Sequence, residues 1–119
     1  MPSRRELVPK LDYVELPVAT AENAVRFYSE AFGWDFTRYG PGYASYEGGP
    51  SHLGLDGTDD PKKAAAILPV IRVENLEDAY SSVVAAGGTV SQEIFAFPGG
   101  RRFHFTDPDG HELGCYQPA

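Results

Sequence analysis

A single cysteine, Cys115, stands in a chain of 119 residues, so no intrachain disulfide forms and no multi-cysteine zinc knot can be built. Positive charge is also scarce. Ten Lys and Arg face seventeen Asp and Glu, for a formal net charge of −7. Sequence-independent binding to nucleic acid and docking on an anionic membrane both depend on basic side chains, and neither is expected. Long apolar runs are missing, and none approaches the length needed to span a bilayer. Arg4 and Arg5 are followed by no apolar stretch, so a secretory signal is not expected and a cytoplasmic location is the default. What is present is a chain 42% hydrophobic and 13% aromatic, enough to bury the core of one compact domain.

The chain repeats itself weakly. Residues 18–24, Val-Ala-Thr-Ala-Glu-Asn-Ala, align with 73–79, Val-Glu-Asn-Leu-Glu-Asp-Ala, at an offset of 55. Ser51-His52-Leu53-Gly54-Leu55-Asp56 resembles His111-Glu112-Leu113-Gly114-Cys115-Tyr116 at an offset of 60. The shared order suggests two modules, about 10–57 and 66–117, joined by a polar linker of about 58–65.

Each module reads as strand, helix, then three short strands. Residues 12–18 alternate, with Val14, Leu16 and Val18 on one face and Tyr13, Glu15 and Pro17 on the other. Thr20 is placed to cap a helix that buries Ala24, Val25, Tyr28, Ala31 and Phe32 and ends at Gly33. Strands are expected at 34–39, 43–47 and 51–56. In the second module Ile67, Pro69, Ile71 and Val73 oppose Leu68, Val70 and Arg72, and Pro69, lacking an N–H, requires that the strand lose one ladder bond or lie near an edge. Asn75 caps a helix with Leu76, Ala79, Tyr80, Val83 and Val84 as its buried stripe. Strands at 89–94, 101–106 and 111–116 follow, the last two joined by the turn Asp107-Pro108-Asp109-Gly110.

This βαβββ–βαβββ order, Val14-Glu15-Leu16-Pro17-Val18 before a helix, Arg26-Phe27-Tyr28 and Phe32-Gly33-Trp34 at its end, and Asp107-Pro108-Asp109-Gly110-His111 resemble the vicinal oxygen chelate superfamily. That group includes glyoxalase I, fosfomycin and bleomycin resistance proteins and extradiol dioxygenases. The resemblance spans about 11–117 and implies an α+β fold in which two modules form a U-shaped mixed-sheet trough, usually in a homodimer. It also implies metal ligands at one position on each of four strands. Carried over singly, those positions are Tyr13, Gly54, Leu68 and Gly114. Two glycines and a leucine offer no side-chain donor, and a tyrosine alone is a poor ligand for a divalent ion, so no metal or other cofactor is expected.

The remaining candidates come from alternation. Glu15 shares the face of Tyr13 and is a candidate ligand contact or general base. Arg72, near the end of its strand, suits an anionic ligand or a pair with Glu15. His104 lies between Phe103 and Phe105 and is the best single acid or base near neutral pH; Glu112 becomes its neighbour if the last two strands pair. Tyr116 follows Glu112 and Gly114 on one face. Trp34, Tyr39, Tyr43, Tyr46 and Phe97 are candidate stacking walls, with room expected above the glycines at the vacated positions. The stretch 97–102 reads as a flap or a hairpin connection, and Cys115 as an inert buried thiol. The expected activity is sequestration of a small organic molecule, a cationic or hydrogen-bond-donating aromatic held by stacking and a carboxylate. The alternative is a lyase, isomerase or dioxygenase-type enzyme using Glu15 and His104 or a displaced divalent metal.

Overall fold

The structure, a computed structural model, describes residues 8–119; Arg4 and Arg5 lie outside the described residues. In chain order the elements are β1 (Lys10–Pro17), α1 (Ala21–Phe32), β2 (Phe36–Arg38), β3 (Tyr43–Tyr46), β4 (His52–Asp56), β5 (Leu68–Arg72), α2 (Leu76–Ala85), β6 (Thr89–Phe97), β7 (Gly100–Thr106) and β8 (Glu112–Pro118). This is the α+β order expected from the sequence. The described residues divide into two compact units, Asp12–Pro69 and Val70–Ala119 with residues 8–11.

In the unit Asp12–Pro69 the strands lie in the order β2-β3-β4-β1. β1 pairs with β4 in parallel, and β2, β3 and β4 form an antiparallel meander. A parallel pair requires a crossover, and α1 begins it. The Thr20 hydroxyl accepts the Asn23 N–H at 3.2 Å, and Gly33, at φ 71°, closes the helix by donating to the Ser29 carbonyl. A left-handed conformation there favours glycine. Leu55 and Ala44 are fully buried. Trp34 stacks on Tyr46 with centroids 4.2 Å apart and lies nearly parallel to Tyr28 of α1 at 6.2 Å. The buried stripe of α1 is narrower than the sequence suggested: Ala31 is exposed and Phe32 is 62% exposed. The Tyr28–Trp34 stack already fills this end of the helix, and the Phe32 ring lies tilted against Trp34 from outside.

In the unit containing Val70–Ala119 the order is β5-β8-β7-β6. β5 and β8 run parallel with register from Val70, immediately after the proline that cannot donate to a ladder. The remaining pairs are antiparallel. α2 starts at the Asn75 cap, whose side chain accepts from Asp78 N–H at 2.9 Å. Val73, Leu76, Phe103 and Cys115 form the buried core, with Ile71, Ala79, Tyr80, Val83 and Phe105 packed around it. Val84, expected in the stripe, is 51% exposed. The Asp107 carboxylate accepts from the backbone of Asp109 and His111, and Gly110 has φ 89°, which fixes the β7–β8 turn.

Here β6 runs to Phe97, three residues past the expected end at 94. Register shifts between Val90 and Gln92 and between Gln92 and Phe95 break its two-residue alternation. The stretch 97–102 is therefore a hairpin connection, with Phe97 paired to Gly100 and Phe95 to Arg102.

The internal repeat reappears as register. Glu15 pairs with Gly54, and Gly54 with Ser45; at matching places Val70 pairs with Gly114, and Gly114 with His104.

Candidate functional site

In the first unit the site centres on Glu15. Its side chain is buried, 3% exposed, and accepts a hydrogen bond from the Tyr43 hydroxyl at 3.0 Å. Strand register explains the meeting. Glu15 sits beside Gly54 of β4, and Tyr43 of β3 lies one residue pair along the same face, opposite Asp56. A Cβ at position 54 would collide with the Tyr43 hydroxyl and come within 3.0 Å of Cζ of its ring. The glycine is what lets the phenol cross β4 to reach the carboxylate. The room expected above Gly54 is thus occupied by Tyr43. Tyr13 is half-buried two residues before Glu15, in register with His52. Tyr39 contacts the edge of Tyr43 and donates to Glu47 at 2.7 Å, which raises its phenol pKa because ionisation would break that bond beside a carboxylate. Trp34 and Tyr46, two of the candidate stacking walls, stack on each other, and Trp34 also lies against Tyr28 of α1. Tyr46 is an odd step from Tyr43 along β3, which turns it to the opposite face.

In the second unit Phe103 is in the α2 core with Phe105 packed around it, so alternation turns His104 to the other face, where it is 3% exposed. Its Nδ1 lies 3.4 Å from Glu112 Oε2, as expected from the pairing of β7 with β8. Ser91 Oγ donates to the same carboxylate oxygen at 2.9 Å. The register shift next to Ser91 helps bring it there, and the plain alternation read from the sequence gave no sign of it. Arg72 and Tyr116 are neighbours in register, as are Tyr116 and Arg102. Arg102 was missed by the sequence reading, which treated it as part of a connection. It is only 5% exposed, its guanidinium carbon 5.4 Å from the Phe95 centroid and 5.1 Å from that of Phe97. The usable signal was two-residue spacing from His104. Arg101 turns the other way and forms a two-pronged pair with Glu77 on the surface. Cys115 is in the core as expected, and burial pushes its thiol pKa up to about 11.

The positions at which the resemblance implies metal ligands are now defined. Tyr13 is half-buried, Leu68 is 1% exposed, and Gly54 and Gly114 are buried glycines. Three of the four have no side-chain donor, and at Gly54 a phenol hydrogen-bonded to Glu15 stands where a ligand side chain would be. This set does not fit a divalent ion. Among the described residues, no three His, Cys, Asp or Glu side chains group as potential metal ligands.

The family model described as Glyoxalase/Bleomycin resistance protein/Dioxygenase superfamily matches residues 10–114. A search of curated protein sequences gave no match. Among solved structures, methylmalonyl-CoA epimerase from Mycobacterium tuberculosis is similar at TM-score 0.74 and 17% identity, covering 98% of this chain and 95% of that one. A superfamily member from Vibrio splendidus 12B01 gives 0.64 and 16%, with 92% and 100% covered. A Mn(II)-bound glyoxalase from Novosphingobium aromaticivorans gives 0.62 and 21%, with 92% of this chain but 39% of that one. At these identities the similarity shows the fold.

Proposed function

The chain belongs to the glyoxalase/bleomycin resistance protein/dioxygenase superfamily, and on that premise we propose that it binds a small organic molecule without a resident divalent metal. The observation that carries this reading is the Tyr43–Glu15 hydrogen bond over Gly54. A carboxylate in such a place needs either an ion or hydrogen-bond donors to be buried. Here a phenol supplies a donor, and its ring takes the space above the glycine. In the unit Asp12–Pro69 the candidate ligand contacts are Tyr13 and Glu15; the other unit, taken by itself, has Arg72, His104, Glu112 and Tyr116 as its candidates. The reading includes a cytoplasmic location and association of two copies. Elemental analysis of freshly purified protein tests it: less than about a tenth of an equivalent of Zn, Mn, Fe, Co or Ni per chain is expected. About one equivalent, removed only by chelation, overturns it.

A specific observation supports a second reading, catalysis by His104. Glu112 Oε2, 3.4 Å from Nδ1, can orient the imidazole as the carboxylate of a histidine–carboxylate general base does; Nε2 is buried. A separation of 3.4 Å is loose for such a pair, and contacts of this kind tighten once substrate is bound. The reading is an isomerase or lyase moving a proton on carbon. His104→Ala should then abolish solvent-deuterium incorporation into a turned-over substrate; unchanged exchange discards the dyad.

A further inference from the structure

We infer that Ser91 is a positioning residue for the His104–Glu112 pair: its hydroxyl holds the Glu112 carboxylate over β7, against the imidazole. The inference rests on the reading of His104 as a base and names what keeps that base in place. Two contacts share one atom. Glu112 Oε2 lies 3.4 Å from His104 Nδ1 and accepts from Ser91 Oγ at 2.9 Å. The three residues come from three neighbouring strands, β6, β7 and β8, with β7 in the middle. Glu112 is paired with Thr106, two residues along β7 from His104, so carboxylate and imidazole are diagonal neighbours. The glutamate side chain has to lean back along β7 to make the contact, and Ser91 is what it leans on.

The bulge in β6 supplies that support. Val90 pairs with Phe105 and Gln92 with His104, so Ser91 is the extra residue between two register positions. Val90 packs against the α2 core, and Ser91, the next residue, turns to the face that His104 occupies. The Glu112 side chain is 35% exposed and has rotamer freedom to lose; a hydrogen bond to its charged oxygen offsets that cost. A carboxylate fixed beside Nδ1 favours the imidazolium, and one free to turn into water favours it less. Within this unit, the groups on the His104 face are Ser91, Gln92 and Phe95 of β6, Arg102 and Thr106 of β7 and Glu112 of β8. The charged ones are Arg102 and Glu112, and it is the carboxylate that Ser91 bonds.

The test is a pH titration of the His104 imidazole by NMR in the full chain. Ser91→Ala should lower its protonation midpoint by about half a pH unit, the size of one partly exposed charge pair. Glu112→Gln should lower it at least as far, and adding Ser91→Ala to Glu112→Gln should move it no further. Ser91→Thr, which keeps the hydroxyl, should restore the native midpoint. An unchanged or raised midpoint in Ser91→Ala overturns the inference. So does an equal drop in the Glu112→Gln background, which would mean that Ser91 acts by another route, or a failure of Ser91→Thr to restore the midpoint. The catalytic reading has its own measurement, solvent-deuterium incorporation by the native protein, so a failed base and a failed support give different results.

Discussion

At position 54 a single hydrogen in place of a methyl group decides whether Tyr43 can reach Glu15. Gly54→Ala drives a Cβ into the phenol, and overpacking of this kind costs about 1–3 kcal/mol. In a Tyr43→Ala background the obstructing ring is gone, so the same substitution should cost well under that. Denaturant unfolding of the four proteins of this cycle measures the coupling; additive costs would show that Tyr43 does not hold the space. Cys115 supplies a second test at this scale. With its pKa pushed up to about 11 by burial, only about one thiol in a thousand is ionised at pH 8. A thiol-specific disulfide reagent should leave the native protein nearly untouched and react fully in denaturant. Because the native pKa is raised above the ordinary thiol value of 9.0, the neutral thiol is the form that folding favours. Its contribution to stability is complete below about pH 9 and is lost as pH rises toward 11.

Among the elements, α2 carries the core of its unit and depends on two acceptors at its start. Asn75 accepts from Asp78 N–H, and Gln117 Oε1 of β8 accepts from Leu76 N–H at 2.9 Å. The second bond ties the helix to a strand 41 residues away in sequence. Asn75→Ala should lower stability by about 1 kcal/mol, the usual cost of losing such a cap. Gln117→Ala should cost a similar amount even though it lies outside the helix. Thermal unfolding checks both, and a silent Gln117→Ala would mean that water replaces its carbonyl. For β6 the sequence misleads because the register shifts at 90–95 break the two-residue period: Gln92 pairs with His104, on the face turned from α2, while Glu93 accepts a hydrogen bond from Tyr80 of α2.

For the whole molecule, exposed apolar side chains bear on association. Phe27, Phe32 and Ile67 in one unit, and Leu11 and Val84 in the other, are each more than half exposed. Strand β2 ends the sheet of the first unit and β6 that of the second, and unpaired strand edges invite pairing. Light scattering at micromolar concentration is expected to give about twice the 13.0 kDa chain mass. A value at the chain mass removes the dimer from the proposed function.

The sequence by itself determined the elements and their caps, because hydrophobic period, Thr20, Gly33, Asn75 and the Asp107–Gly110 turn act over a few residues. It determined the repeat, and with it the faces of Glu15, His104 and Cys115, because alternation along a strand is strict where no bulge intervenes. Only the tertiary structure decided what those faces meet. That Tyr43 fills the space over Gly54 depends on strand pairing between β3 and β4. That Ser91 reaches Glu112, and Phe95 and Phe97 flank Arg102, depends on bulges in β6 that alternation cannot foresee. Local periodicity fixes which way a side chain points, whereas its neighbours follow from register between strands far apart in the chain, and no local rule encodes that register.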